Sequence, residues 1–128
     1  MNSVLAVFLG GGAGAVLRYL GGVAWARIGG HGQPWLATLS INVLGGLAMG
    51  VLISTLALRG GADQERWRLL LGVGVLGGFT TFSTFSLETV MMIQRKDWLT
   101  AALYVSGSVV LSVAGVLAGL YLTRKLLA

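Results

Sequence analysis

Four apolar runs, at about residues 3–25, 35–58, 67–94 and 98–123, take up nearly all of this 128-residue chain. Each reaches the roughly 20 residues that a helix needs to cross the hydrocarbon core of a bilayer. The connectors at 27–34, 59–66 and 95–97 are too short to hold a soluble domain. The expected fold is therefore an all-α membrane protein, a single four-helix transmembrane domain over 1–128. The first run does not read as a cleavable signal peptide. It lacks a basic n-region, and its Ala24-Trp25-Ala26 triplet comes late, after Arg18.

Composition agrees and removes several function classes. Only 10% of residues are charged, with a mean hydropathy of +0.85, against about 25% charged in a soluble domain. No cysteine is present, so disulfides, thiolate chemistry and Cys metal sites are excluded. One histidine, His31, and four acids leave almost no side-chain metal site. No nucleophile, histidine or acid pair stands at a spacing that enzyme chemistry needs. The net charge of +5 does not indicate nucleic acid, because the basic residues punctuate the ends of the apolar runs. There they suit headgroups and snorkelling rather than a stripe that tracks phosphates. Gly10-x-Gly12-x-x-Ala15 mimics a dinucleotide fingerprint, but the first acid is Asp63, far beyond the position that motif requires.

With four spans both termini share one side, together with the second connector. That side carries Arg59, Arg66, Arg68, Arg124 and Lys125, and the other Arg27, Arg95 and Lys96, with Arg18 if it snorkels there. Orientation follows this bias, and it is nearly balanced, which leaves open an ordinary N-inside protein or one that inserts both ways. Each span also holds a Gly-x-x-x-Gly: Gly10/Gly14, Gly46/Gly50, Gly74/Gly78 and Gly115/Gly119. Such pairs let helix backbones approach closely, between subunits or within one.

Residues 77–86 read G-G-F-T-T-F-S-T-F-S in the middle of the third run. Lipid offers a hydroxyl nothing to bond to, so this stretch must be buried in protein or line a wet path. As a straight helix the run would measure roughly 42 Å, against a core of about 30 Å. Gly77-Gly78 followed by hydroxyls predicts a helix broken near midplane, whose free carbonyls suit a small hard cation such as Na⁺. Thr80, Thr81, Ser83, Thr84 and Ser86 interleave with Phe79, Phe82 and Phe85. Glu88, one turn on, either accepts bonds from hydroxyls or pairs with a basic residue.

The other spans carry matching polar faces. Gly10, Gly14 and Arg18 recur every four residues, as do Thr38, Asn42 and Gly46, and Tyr104, Ser108 and Ser112. Arg18 faces either an aqueous vestibule, a carboxylate or the headgroups. Asn42 is either an interhelical clasp or a donor aimed into a solute path. Tyr104, Ser108 and Ser112 form a hydroxyl stripe that ends at Val116.

On these residues the chain resembles the Fluc (CrcB-type) fluoride channel family. The resemblance runs through G-G-x-G-A-x-x-R-Y at 11–19, Thr38 with Asn42-x-x-Gly45-Gly46, and the specific string G-F-T-T-F-S-T-F at 78–85 with Glu88. It implies an antiparallel dual-topology homodimer in a bacterial inner membrane, with two pores selective for F⁻ over Cl⁻. It implies a structural Na⁺ at the dimer centre, held by backbone carbonyls that by position are those of Gly77 and Thr80. It makes Phe82 and Phe85 the pore phenylalanines, Asn42 the pore amide, and Tyr104, Ser108 and Ser112 the polar track. Thr38, Ser83 and Thr84 join them as anion-pore hydroxyls, with Arg18 in the vestibule. Hydroxyls and an amide can replace the water of a strongly hydrated anion, and ring edges carry the positive part of the quadrupole. A small proton-coupled multidrug exporter would need a membrane carboxylate, where the first span has Arg18. A scaffold subunit would use the hydroxyls only as interhelical glue.

Overall fold

The computed structural model describes residues 2–128, and its long helices follow the four apolar runs. These are α1 (Ser3–Arg27), α2 (Pro34–Arg59) and, last, α6 (Trp98–Leu127). The third span is assembled from pieces: α3 (Gln64–Trp67), a π-wound stretch (Arg68–Leu76), α4 (Gly77–Phe79) and α5 (Phe82–Gln94). No strand occurs among the described residues. The helices outrun the apolar stretches because Arg27, Arg59, Arg124 and Lys125 occupy their last turns. Arg and Lys are good helix formers, and cations suit the negative end of the helix dipole.

The helix ends have local causes. The Asn2 side chain accepts a bond from the Val4 N–H at 2.8 Å and caps α1. Pro34 opens α2 at a position where its missing N–H costs nothing. Between them Gly29 takes a left-handed φ of 99°, and the Trp25 indole N–H is shared by the Gly30 and Gln33 carbonyls, at 3.1 and 3.2 Å. The excess length of the third run is absorbed partly by the π winding, since i→i+5 bonding takes more residues per turn.

All four Gly-x-x-x-Gly pairs are spent within the subunit. A methyl on Gly10 would lie 2.3 Å from the Leu70 carbonyl oxygen, one on Gly14 2.0 Å from that of Val75, and one on Gly78 2.3 Å from that of Gly11. So α1 rests on the third span backbone to backbone. Likewise a methyl on Gly50 would meet the Val116 carbonyl at 2.2 Å, and one on Gly119 that of Leu47 at 2.4 Å, which joins α2 to α6. Leu103, Val110 and Leu117 on α6 point outward and are exposed, as lipid-facing side chains must be.

Candidate functional site

The third span does break, but not at its glycines. Gly77 is helical, with φ −63° and ψ −38°. Thr80 and Thr81 are the extended residues, with ψ of 158° and 123°. The reason lies in who can satisfy the freed backbone groups. The Leu76 carbonyl accepts both the Thr80 N–H and its hydroxyl, each at 3.0 Å. The Thr81 hydroxyl caps α5, accepting the Thr84 N–H at 3.2 Å. A Thr just before a helical segment is a recognised capping signal; Thr81, one of the five hydroxyls of residues 77–86, is missing from the expected pore set although its place before α5 marks it.

The face of α2 that carries Thr38, Asn42 and Gly45 holds this break. Asn42 bonds both backbone groups of Thr81: its Nδ2 donates to the carbonyl at 3.0 Å, and its Oδ1 accepts from the N–H at 2.8 Å. Asn42 is thus a clasp, and one hydrogen of its amide remains. Gly45 leaves room for Thr80, whose Cγ2 would lie 2.2 Å from a methyl there.

Glu88 takes hydroxyls rather than a cation. One carboxylate oxygen accepts from Thr38 at 2.9 Å, and the other from Tyr104 at 2.6 Å. Tyr104 is only 1% exposed. Tyr104 therefore leaves the expected stripe: its hydroxyl is committed to Glu88, and it is absent from the groove that Ser108 and Ser112 line. The Thr38 hydroxyl is committed to the same carboxylate.

The groove, of about 490 Å³, runs beside the break. Asn42, Phe82, Phe85, Ser108, Ser112 and Val116 are among the residues that line it. The Ser108 hydroxyl is buried and is the one buried side-chain polar atom without a partner among the described residues. Phe82 is 80% exposed along this open side, and its ring centroid lies 5.5 Å from that of Phe85. Ser83 and Thr84 stand elsewhere. Ser83 is exposed, with its hydroxyl 3.3 Å from that of Thr81, and Thr84 lines a second cavity, of about 510 Å³, with Arg18, Thr38 and Glu88.

Among the described residues Arg18 pairs with no carboxylate. Its Nε donates to the Gly78 carbonyl at 3.2 Å, at the C-terminal end of α4, where a cation suits the helix dipole. No cluster of three His, Asp or Glu side chains capable of holding a metal occurs among the described residues. Backbone oxygens do offer a place. Gly77 and Thr80 both line the groove, and the helical segment that begins at Gly77 ends just before Thr80, so their carbonyl oxygens stand at the break. Such oxygens fit a hard cation of the Na⁺ type.

Comparison with known proteins adds an independent line. Residues 5–120 match the family model described as CrcB-like protein, Camphor Resistance (CrcB). A protein of Phenylobacterium zucineum named fluoride-specific ion channel FluC is 55% identical over 128 residues, which covers all of both chains. Proteins of the same name from Caulobacter sp. strain K31 and Caulobacter vibrioides are each 52% identical, over 98% and 100% of both chains.

Proposed function

The chain belongs to the CrcB-like (Fluc) family, a family of ion channels and not of enzymes, and we propose that it lets fluoride pass down its gradient out of the cytoplasm. The observation that carries this reading is the groove itself. A buried hydroxyl without a partner, Ser108, shares it with the spare amide hydrogen of Asn42 and with the rings of Phe82 and Phe85. Fluoride needs donors in place of its water, and a buried donor without a partner is costly unless something accepts from it. The groove holds no arginine or lysine, so an anion could be bound without being trapped. Ser112 is the next donor along the groove. Thr38 and Tyr104 stand behind it and hold Glu88.

The finer parts of the proposal concern assembly and location. Phe82 and the groove lie open on one side, and a second, antiparallel copy would close them into two pores in a bacterial inner membrane. The near-balance of loop charges supports insertion in both orientations. The Gly77 and Thr80 carbonyls of both copies would hold a central Na⁺, their oxygens taking the place of its water and the ion tying the two copies together.

The test is efflux from proteoliposomes loaded with potassium fluoride and read with a fluoride electrode once valinomycin is added. Rapid fluoride release with negligible chloride release is expected. Equal release of both ions, or none of fluoride, overturns the reading. Replacing external and internal Na⁺ by N-methylglucamine should lower flux if the central cation is required.

A further inference from the structure

A chain of rings leads from the mouth of the helix bundle to the groove. Trp35 lies in the first turn of α2, directly after Pro34. Its ring centroid is 5.5 Å from that of Tyr104, with 59° between planes. Tyr104 meets Phe85 at 5.1 Å and 56°, and Phe85 meets Phe82 at 5.5 Å and 41°. Tilted pairs at about 4.5–7 Å suit the aromatic quadrupole. Trp35 itself does not touch the groove. It lines a separate cavity with His31, Arg95 and Asp97.

Tyr104 is held at three points: by Trp35 on one side, by Phe85 on another, and by Glu88 at its hydroxyl. Thr38, three residues after Trp35 on the same face of α2, anchors that carboxylate. One helix thus fixes the Tyr104 ring twice, directly through Trp35 and indirectly through Thr38 and Glu88. Removing Trp35 leaves the hydroxyl bond in place, so the ring pivots about its tip into the vacated cavity. Close-packed side chains pass such a shift to their neighbours, and the next neighbour is Phe85.

We propose that Trp35 is a positioning residue: through Tyr104 it sets the orientation that Phe85 presents to the groove.

The test uses Trp35→Leu and Trp35→Phe in liposomes with two readouts. Ring-carbon NMR signals of Phe85 report its orientation whether or not the protein transports anything. Fluoride flux rests on the channel reading above. Trp35→Leu should shift or double the Phe85 signals and lower flux about three- to tenfold, the scale of one lost aromatic pair. Trp35→Phe should restore most of both. Because Trp35 acts through Tyr104, Trp35→Leu added to Tyr104→Leu should lower flux no further than Tyr104→Leu alone. Unchanged Phe85 signals in Trp35→Leu, or fully additive losses in the pair, would overturn the proposal. If Trp35→Leu does not fold, Trp35→Met fills much of the space without a ring and gives the same comparison. Absence of fluoride flux from the unsubstituted protein would sink the channel reading, while the NMR comparison would still decide the positioning role.

Discussion

Replacing Asn42 by Ala should open the break in the third span, and the cost can be worked from the clasp. Two bonds disappear, Nδ2 to the Thr81 carbonyl at 3.0 Å and the Thr81 N–H to Oδ1 at 2.8 Å. Each made bond is worth about 1 kcal/mol net, and leaving a part-buried partner orphaned costs about 1–3 kcal/mol. The adjoining groove admits water, which recovers some of that bonding. A loss of about 2–3 kcal/mol remains, confined to the break. Amide hydrogen exchange in lipid nanodiscs reads it directly, because local opening sets the rate. The Thr81 amide should exchange about 30- to 150-fold faster in Asn42→Ala, while amides in the middle of α6 stay unchanged. Asn42→Asp keeps the acceptor for the Thr81 N–H but sets a carboxylate oxygen against the Thr81 carbonyl, to which Nδ2 now donates at 3.0 Å. Exchange at Thr81 should therefore rise in this variant too, and the carboxylate in the groove should abolish fluoride flux. Thr81 exchange within about threefold of the unsubstituted protein in Asn42→Ala would refute the clasp.

Gly14→Ala should destabilise the protein by about 1–3 kcal/mol or prevent folding, because its methyl would lie 2.0 Å from the Val75 carbonyl. Gly77→Ala should be tolerated, since Gly77 is helical and the nearest atom is 3.7 Å away; thermal unfolding in detergent compares the two. Phe82→Ile and Phe85→Ile should abolish most fluoride flux in proteoliposomes while the protein stays folded. Normal conduction by these variants would make the rings mere packing. Ser108→Ala should reduce flux less and leave stability unchanged or slightly raised, because it deletes a buried hydroxyl that has no partner. A single cysteine placed at exposed Lys96 should be labelled by impermeant maleimide in only part of the molecules of intact cells and in the rest once the cells are permeabilised; labelling of all or of none in intact cells would exclude dual topology.

The helical membrane class and the four spans were legible in the chain itself, because a run of about 20 apolar residues has few other destinations. Helical periodicity likewise put Thr38, Asn42 and Gly46 on one face, and Ser108 with Ser112 on another. It could not say what those faces meet. Arg18 finds its acceptor 60 residues away, Thr38 its carboxylate 50 away, and Asn42 its backbone partner 39 away. The same limit misplaced the break. Gly77-Gly78 invites one by local flexibility, yet packing uses Gly78 for close approach to Gly11 and opens the chain at Thr80 and Thr81 instead. There the Leu76 carbonyl and the Asn42 amide bond the residues that leave the helix, and the Thr81 hydroxyl takes the Thr84 N–H at the start of the next one. Tyr104 left its stripe for the same kind of reason, since Glu88 stands within 2.6 Å of its hydroxyl. Sequence by itself determined that the chain crosses the membrane as helices and which residues share a helical face. Only the tertiary structure decided which polar groups answer one another, because in a medium without water each must find its partner inside the protein, wherever packing brings one within reach.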